Sequence, residues 1–303
     1  MKTVLISGGT GIVGTRLSHK LRDKGYEVQI LSRSKNSDSI FKTYIWDISK
    51  NYIDPKAVET ADYIIHLAGA GIADKRWTDE RKKIIIDSRV DSANLLFNAV
   101  KSNLNRVKAF ISASGVGNYG AITTQHIFTE SDPHHDDFLG KTCALWEASA
   151  DQFETLGIRT VKVRTGVVLS QEGGALEKLK IPVQLGIGSA LGSGKQYVPW
   201  IHLEDLCNIY IKAIEDAHMS GPYNAAAPEH LTNEQMTKSI AEVLHRPFFF
   251  PKVPSFAMNL LLGEMSELLL EGSRVSSEKI QKAGFQFKFP DIKSALKDLF
   301  RKN

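Results

Sequence analysis

Cysteine is scarce in this chain, since Cys143 and Cys207 are the only two among 303 residues. Two cysteines cannot build a disulfide framework, and their spacing does not match a zinc site. The chain therefore fits a reducing compartment, with both side chains as plain thiols. The doublet His134-His135 lies in an Asp-rich loop. Adjacent histidines do not converge on one ion, so we expect a solvated loop and no metal.

Long apolar runs and a large excess of one charge are also missing. No run approaches the length that spans a bilayer, and Met1-Lys2 leads directly into a strand-like segment rather than a cleavable leader. The formal net charge is +4, without a block of Lys or Arg. These absences argue against a membrane protein and against a nucleic-acid partner. We expect a cytoplasmic protein whose mildly basic cleft binds a small anionic ligand.

A glycine-rich turn near the N-terminus is the strongest positive signal. The apolar run 4–7 leads into Gly8, Gly11 and Gly14, and apolar residues with helical spacing follow from Ile12 to Leu21. Gly8 suits a tight turn, Gly11 lets backbone N–H groups approach a pyrophosphate, and Gly14 lets helix and strand pack closely. The diphosphate would lie at a helix N-terminus, which favours negative charge. This context predicts a dinucleotide-binding turn.

Strand and helix signals alternate along the chain, which predicts an α/β fold with a doubly wound parallel Rossmann sheet. The expected strands are 4–7, 27–32, 63–67, 108–113, 160–164 and 221–225, and the expected helices are 13–24, 78–102, 142–156, 203–217, 233–244 and 256–270. Residues 171–195 carry six glycines and few periodic signals, so we interpret them as an excursion over the ligand. We expect an NAD(P)-binding domain at 1–169, completed by about 199–228, and a small, mostly helical substrate lobe at 170–198 and 229–303.

The end of the second strand favours NADP(H) over NAD(H). An acidic residue at that place marks NAD, but here the chain reads Ser32-Arg33. An arginine offers a 2′-phosphate a planar fork of donors. Arg33 as a solvated turn residue remains the alternative. Asp47, after the third strand, could accept the adenine amino group, although a surface aspartate in a turn is almost as good an interpretation.

The fourth strand ends in small residues. His66 is followed by Leu67-Ala68-Gly69-Ala70-Gly71. Small side chains are expected where the backbone approaches a cofactor at the carboxyl edge of a sheet. This segment supports the dinucleotide prediction independently of the glycine turn.

Several segments together resemble the extended short-chain dehydrogenase/reductase superfamily. They are 7–14, 66–69, 112–114, 164–169 and 200–206, and the segments 87–90, 143–147, 192–196, 262–272 and 284–285 are similar to its atypical, epimerase-like branch. The resemblance covers nearly the whole chain. It implies cofactor contacts at Gly8, Thr10, Gly11, Ile12, Val13, Ser32, Arg33, Leu67, Ala68 and Arg89. We also expect Gly69 and Val167 to contact the cofactor. Without the family, Arg89 reads equally well as an arginine on a helix surface.

The usual catalytic pair of that superfamily is missing. Typical members use a tyrosine and, four residues later, a lysine that depresses the tyrosine pKa. Here the matching helix carries Cys143 and Glu147. A carboxylate raises the pKa of a nearby thiol and so opposes thiolate chemistry. We expect Cys143 to be a packing thiol beside a carboxylate that accepts ribose hydroxyls.

Other acids and bases lie within reach of the predicted crevice. Ser114 stands at the place of the family's serine and could donate to a carbonyl oxygen. Tyr119 and Glu130 follow in the next loop, where each reads more readily as a loop-ordering residue than as a catalyst. Ser114 and Tyr119 are the two candidates that we name for catalysis.

These observations favour an NADP(H)-dependent oxidoreductase or epimerase-like enzyme that acts on a small polar metabolite. The alternative is a non-catalytic NADP(H)-binding regulatory or sensor protein, which the Cys143 and Glu147 substitutions motivate. The segments 248–250 and 258–270 are expected to form the core of the small lobe, although such apolar surfaces also form homodimers.

Overall fold

The computed structural model describes residues 1–34 and 39–301. Its strands are β1 (Thr3–Ser7), β2 (Glu27–Ser32), β3 (Lys42–Asp47), β4 (Tyr52–Ile53), β5 (Tyr63–His66), β6 (Ala109–Gly115), β7 (Ile127–Phe128), β8 (Arg159–Thr165), β9 (Val167–Ser170), β10 (Gly173–Gly174), β11 (Trp200–His202), β12 (Gly221–Ala225) and β13 (Arg274–Val275). Six of them lie within two residues of the strands that the sequence predicts.

The helices alternate with these strands. They are α1 (Ile12–Asp23), α2 (Pro55–Glu59), α3 (Asp79–Ser102), α4 (Phe138–Asp151), α5 (Ala175–Gln184), α6 (Leu203–Glu215), α7 (Asn233–Val243), α8 (Ser255–Leu262), α9 (Glu267–Leu270), α10 (Glu278–Lys282) and α11 (Ile292–Leu299). Within the described residues, none of them combines the length and the apolar character that crossing a bilayer requires.

The central sheet has eight strands in the order β12-β8-β6-β5-β1-β2-β3-β4. All neighbours pair in parallel except β3 and β4. The chain builds outward from β1 in one direction through β2 and β3, and in the other through β5, β6 and β8. Ligands of such sheets bind beyond the carboxyl ends of the strands, where the order reverses. That point is between β1 and β5, and the predicted α/β Rossmann-like fold is confirmed.

The sheet is held by a hydrophobic core on each face. All five residues of β1 are buried, and because side chains alternate along a strand, Val4 and Ile6 join one cluster while Leu5 joins the other. The first cluster takes apolar residues of α1 and α6, and the second takes those of α3. Helices therefore cover both faces of the sheet and leave the strand ends open.

Two helix predictions need correction. The helix predicted at 142–156 begins at Phe138, because Asp137 caps it by accepting from the Gly140 N–H, and it ends at Asp151 before a 3₁₀ turn. The apolar segment 256–270 is divided into α8, a 3₁₀ turn and α9. Gly263 has a φ of 60°, a conformation that interrupts a right-handed helix.

The segment 171–195 contains a helix that the sequence analysis did not predict. Helix α5 carries Pro182 within it and is flanked by glycines, and both features hide a helical pattern. Leu176 and Val183 of α5 pack with residues of α7 and α11 into a separate cluster. The division into domains stays a prediction.

Candidate functional site

The glycine turn joins β1 to α1 against the end of β5. Gly8 has a φ of 73°, and a Cβ there would lie 2.8 Å from the Leu67 carbonyl carbon. The Leu67 N–H donates to the Ser7 carbonyl at 3.0 Å, and the Gly11 N–H donates to the Gly8 carbonyl at 3.2 Å. The turn and the segment that begins at Leu67 and Ala68 therefore meet where the sheet order reverses, and only glycine fits at position 8.

Gly14 and Gly11 differ in what surrounds them. A Cβ at Gly14 would lie 2.3 Å from the Gly8 carbonyl oxygen, so close helix packing requires this glycine. A Cβ at Gly11 would meet only the same oxygen, at an ordinary 3.5 Å. No side chain caps the start of α1, which leaves the N–H groups of Ile12 and Val13 for an external acceptor. The geometry therefore fits a bound diphosphate.

Ser32 and Arg33 lie at the carboxyl end of β2. Ser32 is the last residue of the strand, and the exposed Arg33 lies in the bend that follows. Asp47 lies at the end of β3, where its carboxylate accepts from the Ser49 hydroxyl at 2.6 Å and from the Lys50 N–H at 3.3 Å. Asp47 thus caps a turn, and its contact with an adenine stays a prediction.

Arg89 lies on α3 beside the segment after β5. Its Nη1 donates to the carbonyl oxygens of Ala70 at 3.0 Å and of Ile85 at 2.8 Å. The guanidinium stacks 4.8 Å from the Trp146 ring centre, and a Cβ on Gly69 would lie 3.2 Å from its central carbon. Burial lowers the pKa of Arg89. Among the described residues no carboxylate forms an ion pair with it, so its charge remains available to an anionic ligand.

His66 is a buried part of the site that the sequence analysis did not assign. Its Nδ1 lies 2.7 Å from the Ser7 hydroxyl, and its Nε2 lies 3.2 Å from the Ser92 hydroxyl. Burial lowers the pKa of His66 to about 4. The imidazole is therefore neutral at physiological pH and ties β1 and α3 to the end of β5.

A buried ion pair lies at the carboxyl ends of β6 and β8. Arg164 donates from Nε and Nη2 to the two carboxylate oxygens of Glu147, at 2.7 and 2.9 Å. The Ser114 hydroxyl donates to Glu147 Oε1 at 2.7 Å. Burial alone would lower the pKa of Arg164, but the bonds to Glu147 raise it. Protein donors thus engage the carboxylate that we expected to accept ribose hydroxyls.

Tyr119 extends this network into the sheet. Its hydroxyl donates to Asn224 Oδ1 at 2.7 Å and accepts from Arg164 Nη1 at 2.9 Å. Glu130 accepts from the Asn224 N–H at 2.8 Å. Tyr119 is 1% exposed, and burial raises its pKa to about 12. Glu130 and Tyr119 therefore both contribute hydrogen bonds that hold the loop, and a catalytic role for Tyr119 stays a prediction.

Cys143 lies one helical turn before Glu147 on α4. Its thiol approaches the Gly115 carbonyl oxygen at 3.5 Å. Burial, together with the negative charge of Glu147, raises the pKa of Cys143 to about 12. The thiol is therefore protonated and packs as expected, and the usual tyrosine and lysine chemistry has no counterpart here.

A cavity of about 990 Å³ lies between the loops that follow β6 and the C-terminal segments. The cavity is lined by residues 121–123, by Gly192 and Ser193 of the excursion, and by residues between α8 and Glu271. His135 and Asp137 complete the lining at the start of α4. The excursion thus contributes to a cavity at the carboxyl side of the sheet. Val167, which begins β9, donates its N–H to the Pro199 carbonyl at 2.7 Å beside the same excursion.

The chain matches two family models and is similar to several named proteins. Residues 4–226 match the NAD dependent epimerase/dehydratase family, and residues 253–299 match a domain of unknown function, DUF1731. It is 37% identical over 302 residues to the epimerase family protein SAR0825 of Staphylococcus aureus, covering 100% of both chains. It is 35% identical to the epimerase family protein YfhF of Bacillus subtilis, covering 98% of this chain and 97% of that protein.

Solved structures agree with these matches. The human epimerase family protein SDR39U1 with NADPH superposes with a TM-score of 0.87 at 31% identity, covering 98% of each chain. A nucleoside-diphosphate sugar epimerase from Corynebacterium glutamicum gives a TM-score of 0.80 at 32% identity, covering 97% of this chain and 57% of that one. The chain therefore belongs to the NAD dependent epimerase/dehydratase family, in the atypical, epimerase-like branch of the short-chain dehydrogenase/reductases.

Proposed function

We propose that the protein is an NADP(H)-dependent oxidoreductase that acts on a small polar metabolite. The observation that carries the proposal is the open start of α1. Gly11 has no steric partner in the protein, and the first turn has no side-chain cap. No neighbouring protein atom requires glycine at position 11, and the N–H groups at the start of the helix have no side-chain acceptor. Both features fit a bound diphosphate. The human relative was solved with NADPH, which supports the same ligand here.

The preference for NADP(H) rests on Arg33. This exposed residue follows β2 directly, at the place where NAD-binding members of this fold carry an acidic residue. Its planar guanidinium can hold a 2′-phosphate through two hydrogen bonds. Arg89, whose charge has no carboxylate partner within the described residues, supplies a second cation beside the segment that follows β5.

The proposed cofactor contacts share the carboxyl edge of the sheet and its neighbouring helix starts. They are Gly8, Thr10, Gly11, Ile12, Val13, Ser32, Arg33, Asp47, Leu67, Ala68, Gly69, Arg89 and Val167. NADPH, when bound, supplies a hydride. The N–H groups of α1 would hold its diphosphate, and the small residues after β5 would let the backbone approach it.

Proton transfer by Ser114 or Tyr119 stays a prediction, and it requires each hydroxyl to give up a hydrogen bond that it makes in this structure. The Ser114 proton is committed to Glu147 and the Tyr119 proton to Asn224. Either residue must exchange that bond for one to the substrate before it can donate a proton. Because both protons are engaged in hydrogen bonds within the protein, a second candidate function is also favoured, that of a sensor that binds NADP(H) without turnover.

Turnover separates the two functions. We expect the purified protein to oxidise NADPH with at least one compound in a panel of diacetyl, glyceraldehyde, dihydroxyacetone and pyruvate, followed through the absorbance of the reduced nicotinamide. NADH should be a poorer donor. The ligand that co-purifies, identified by mass, should be NADP(H). Tight binding of NADPH without turnover of any compound would instead favour the sensor.

A further inference from the structure

His135 is held in a defined position at the wall of the cavity. Its backbone N–H donates to the Asn118 carbonyl at 2.8 Å. Its ring covers Gly120, where a Cβ would lie 2.5 Å from the imidazole carbon, and its carbonyl oxygen packs 2.1 Å from the Cβ position of Gly140. Both glycines therefore make room for this histidine, whose side chain is 46% exposed in the solvated loop that the sequence predicts.

Asp137 lies beside the ring. Its Oδ2 lies 3.1 Å from His135 Nδ1 and accepts from the Ala121 N–H at 2.8 Å, while Oδ1 accepts from the Gly140 N–H at 2.7 Å. Because Asp137 is fixed by two backbone donors, it favours a proton on Nδ1 of the ring. Nε2 is then the nitrogen that can exchange a proton with a molecule in the cavity.

Other charged groups lie near the ring, but the ion pair of His135 is with Asp137. On its own side they are His134, Asp136 and Lys141, and Lys141 pairs with Asp136 at 3.0 Å. Across the cavity the charged lining consists of Glu264, Glu267 and Glu271. Among the described lining residues of this cavity, His135 therefore carries the nitrogen base. The helix beside it carries Cys143 and Glu147 in place of the usual tyrosine and lysine, and the Cys143 thiol is a poor proton donor.

We propose that His135, oriented by Asp137, is the proton donor and acceptor for the substrate in this cavity. The inference rests on the oxidoreductase function proposed above. In the reducing direction, the protonated ring gives its Nε2 proton to the carbonyl oxygen of the substrate, and the carbonyl carbon receives the hydride that NADPH supplies. The carbonyl π bond breaks while one C–H and one O–H bond form. The products are an alcohol, NADP⁺ and neutral imidazole, which regains a proton from solvent.

The first test compares turnover in three variants on the wild-type protein's best compound from the panel. His135→Gln should lose about 10²-fold in kcat/KM, the usual size of general acid catalysis, while NADPH affinity stays within about twofold. Asp137→Asn keeps an acceptor for the Gly140 N–H at the helix cap but loses the one for the Ala121 N–H, and it should lose activity as well. His134→Gln is the matched control and should behave as wild type. A His135→Gln loss below about threefold overturns the proposal.

The second test needs no substrate. NMR chemical shifts of the ring nitrogens, assigned by comparison with the His135→Gln spectrum, should place the proton of neutral His135 on Nδ1. In Asp137→Asn the proton should move to Nε2, and His134 should be unchanged. A wild-type ring protonated on Nε2 overturns the orientation and the proposal.

If the wild type binds NADPH but turns over no compound, the oxidoreductase function fails and the role of His135 fails with it, whereas full activity in His135→Gln overturns only this inference.

Discussion

Replacing Glu147 by alanine is expected to lower the free energy of unfolding by about 3–5 kcal/mol, because it leaves a buried guanidinium without a partner. Arg164 and Glu147 are 7% exposed each, so solvent cannot compensate for the lost charge. The Ser114 hydroxyl also loses its acceptor, which adds to the cost. Urea unfolding measures the change directly.

Two controls separate this effect from a general sensitivity to mutation. Asp87→Ala removes an exposed ion pair with Lys83, and we expect a change below about 1 kcal/mol. The double variant Glu147→Leu with Arg164→Met removes both charges and should recover most of the stability that Glu147→Ala loses. A loss below about 1 kcal/mol in Glu147→Ala would show that the pair does not hold the strand ends together.

Gly11→Ala is expected to abolish tight NADPH binding and to leave the fold almost unchanged. Its backbone has a φ of −79°, which alanine adopts readily, and its Cβ would meet no protein atom closer than 3.5 Å. The methyl group would instead point into the space proposed for the diphosphate. Losing two hydrogen bonds to a charged group costs about 3–6 kcal/mol, or about 10²–10⁴-fold in Kd. Calorimetric titration measures the affinity.

Gly14→Ala is the matched comparison. Its Cβ would lie 2.3 Å from the Gly8 carbonyl oxygen, so α1 must move away from the turn. We expect both weaker NADPH binding and a stability loss of about 1–3 kcal/mol, as for other overpacked sites. Gly11→Ala should lose at most about 1 kcal/mol. Unchanged NADPH affinity in Gly11→Ala would mean that the diphosphate lies elsewhere.

The sheet could be predicted because its strands are buried on both faces and read as short apolar runs. Strands β2 and β12 match their predicted bounds, and the glycine turn lies where its spacing places it. Helix α5 could not be predicted in the same way, since Pro182 and the flanking glycines mask its pattern. The break at Gly263 depends on a backbone angle that local sequence does not determine.

Within the site, features that depend on neighbouring residues could be predicted from the sequence, but contacts between residues far apart in the chain could not. The approach of a glycine to Leu67 follows from a local motif, but the pair Arg164 and Glu147 joins a strand to a helix across 17 residues. The buried charge of Arg164 had no clear signal in the sequence, because the same strand also carries Arg159 and Lys162. The exposed loop at His135 was predicted, but its packing on Gly120 and Gly140 was not, because those glycines are brought to it by the tertiary fold.

The most direct test of the account is a calorimetric titration of the wild-type protein and of Arg33→Ala with NADPH and with NADH in one buffer. The wild type should bind NADPH about 10–10²-fold more tightly than NADH, because a 2′-phosphate adds hydrogen bonds to a charged guanidinium. Arg33→Ala should remove most of that difference and leave the NADH affinity unchanged. Equal affinities for the two cofactors, unaffected by Arg33→Ala, would contradict it.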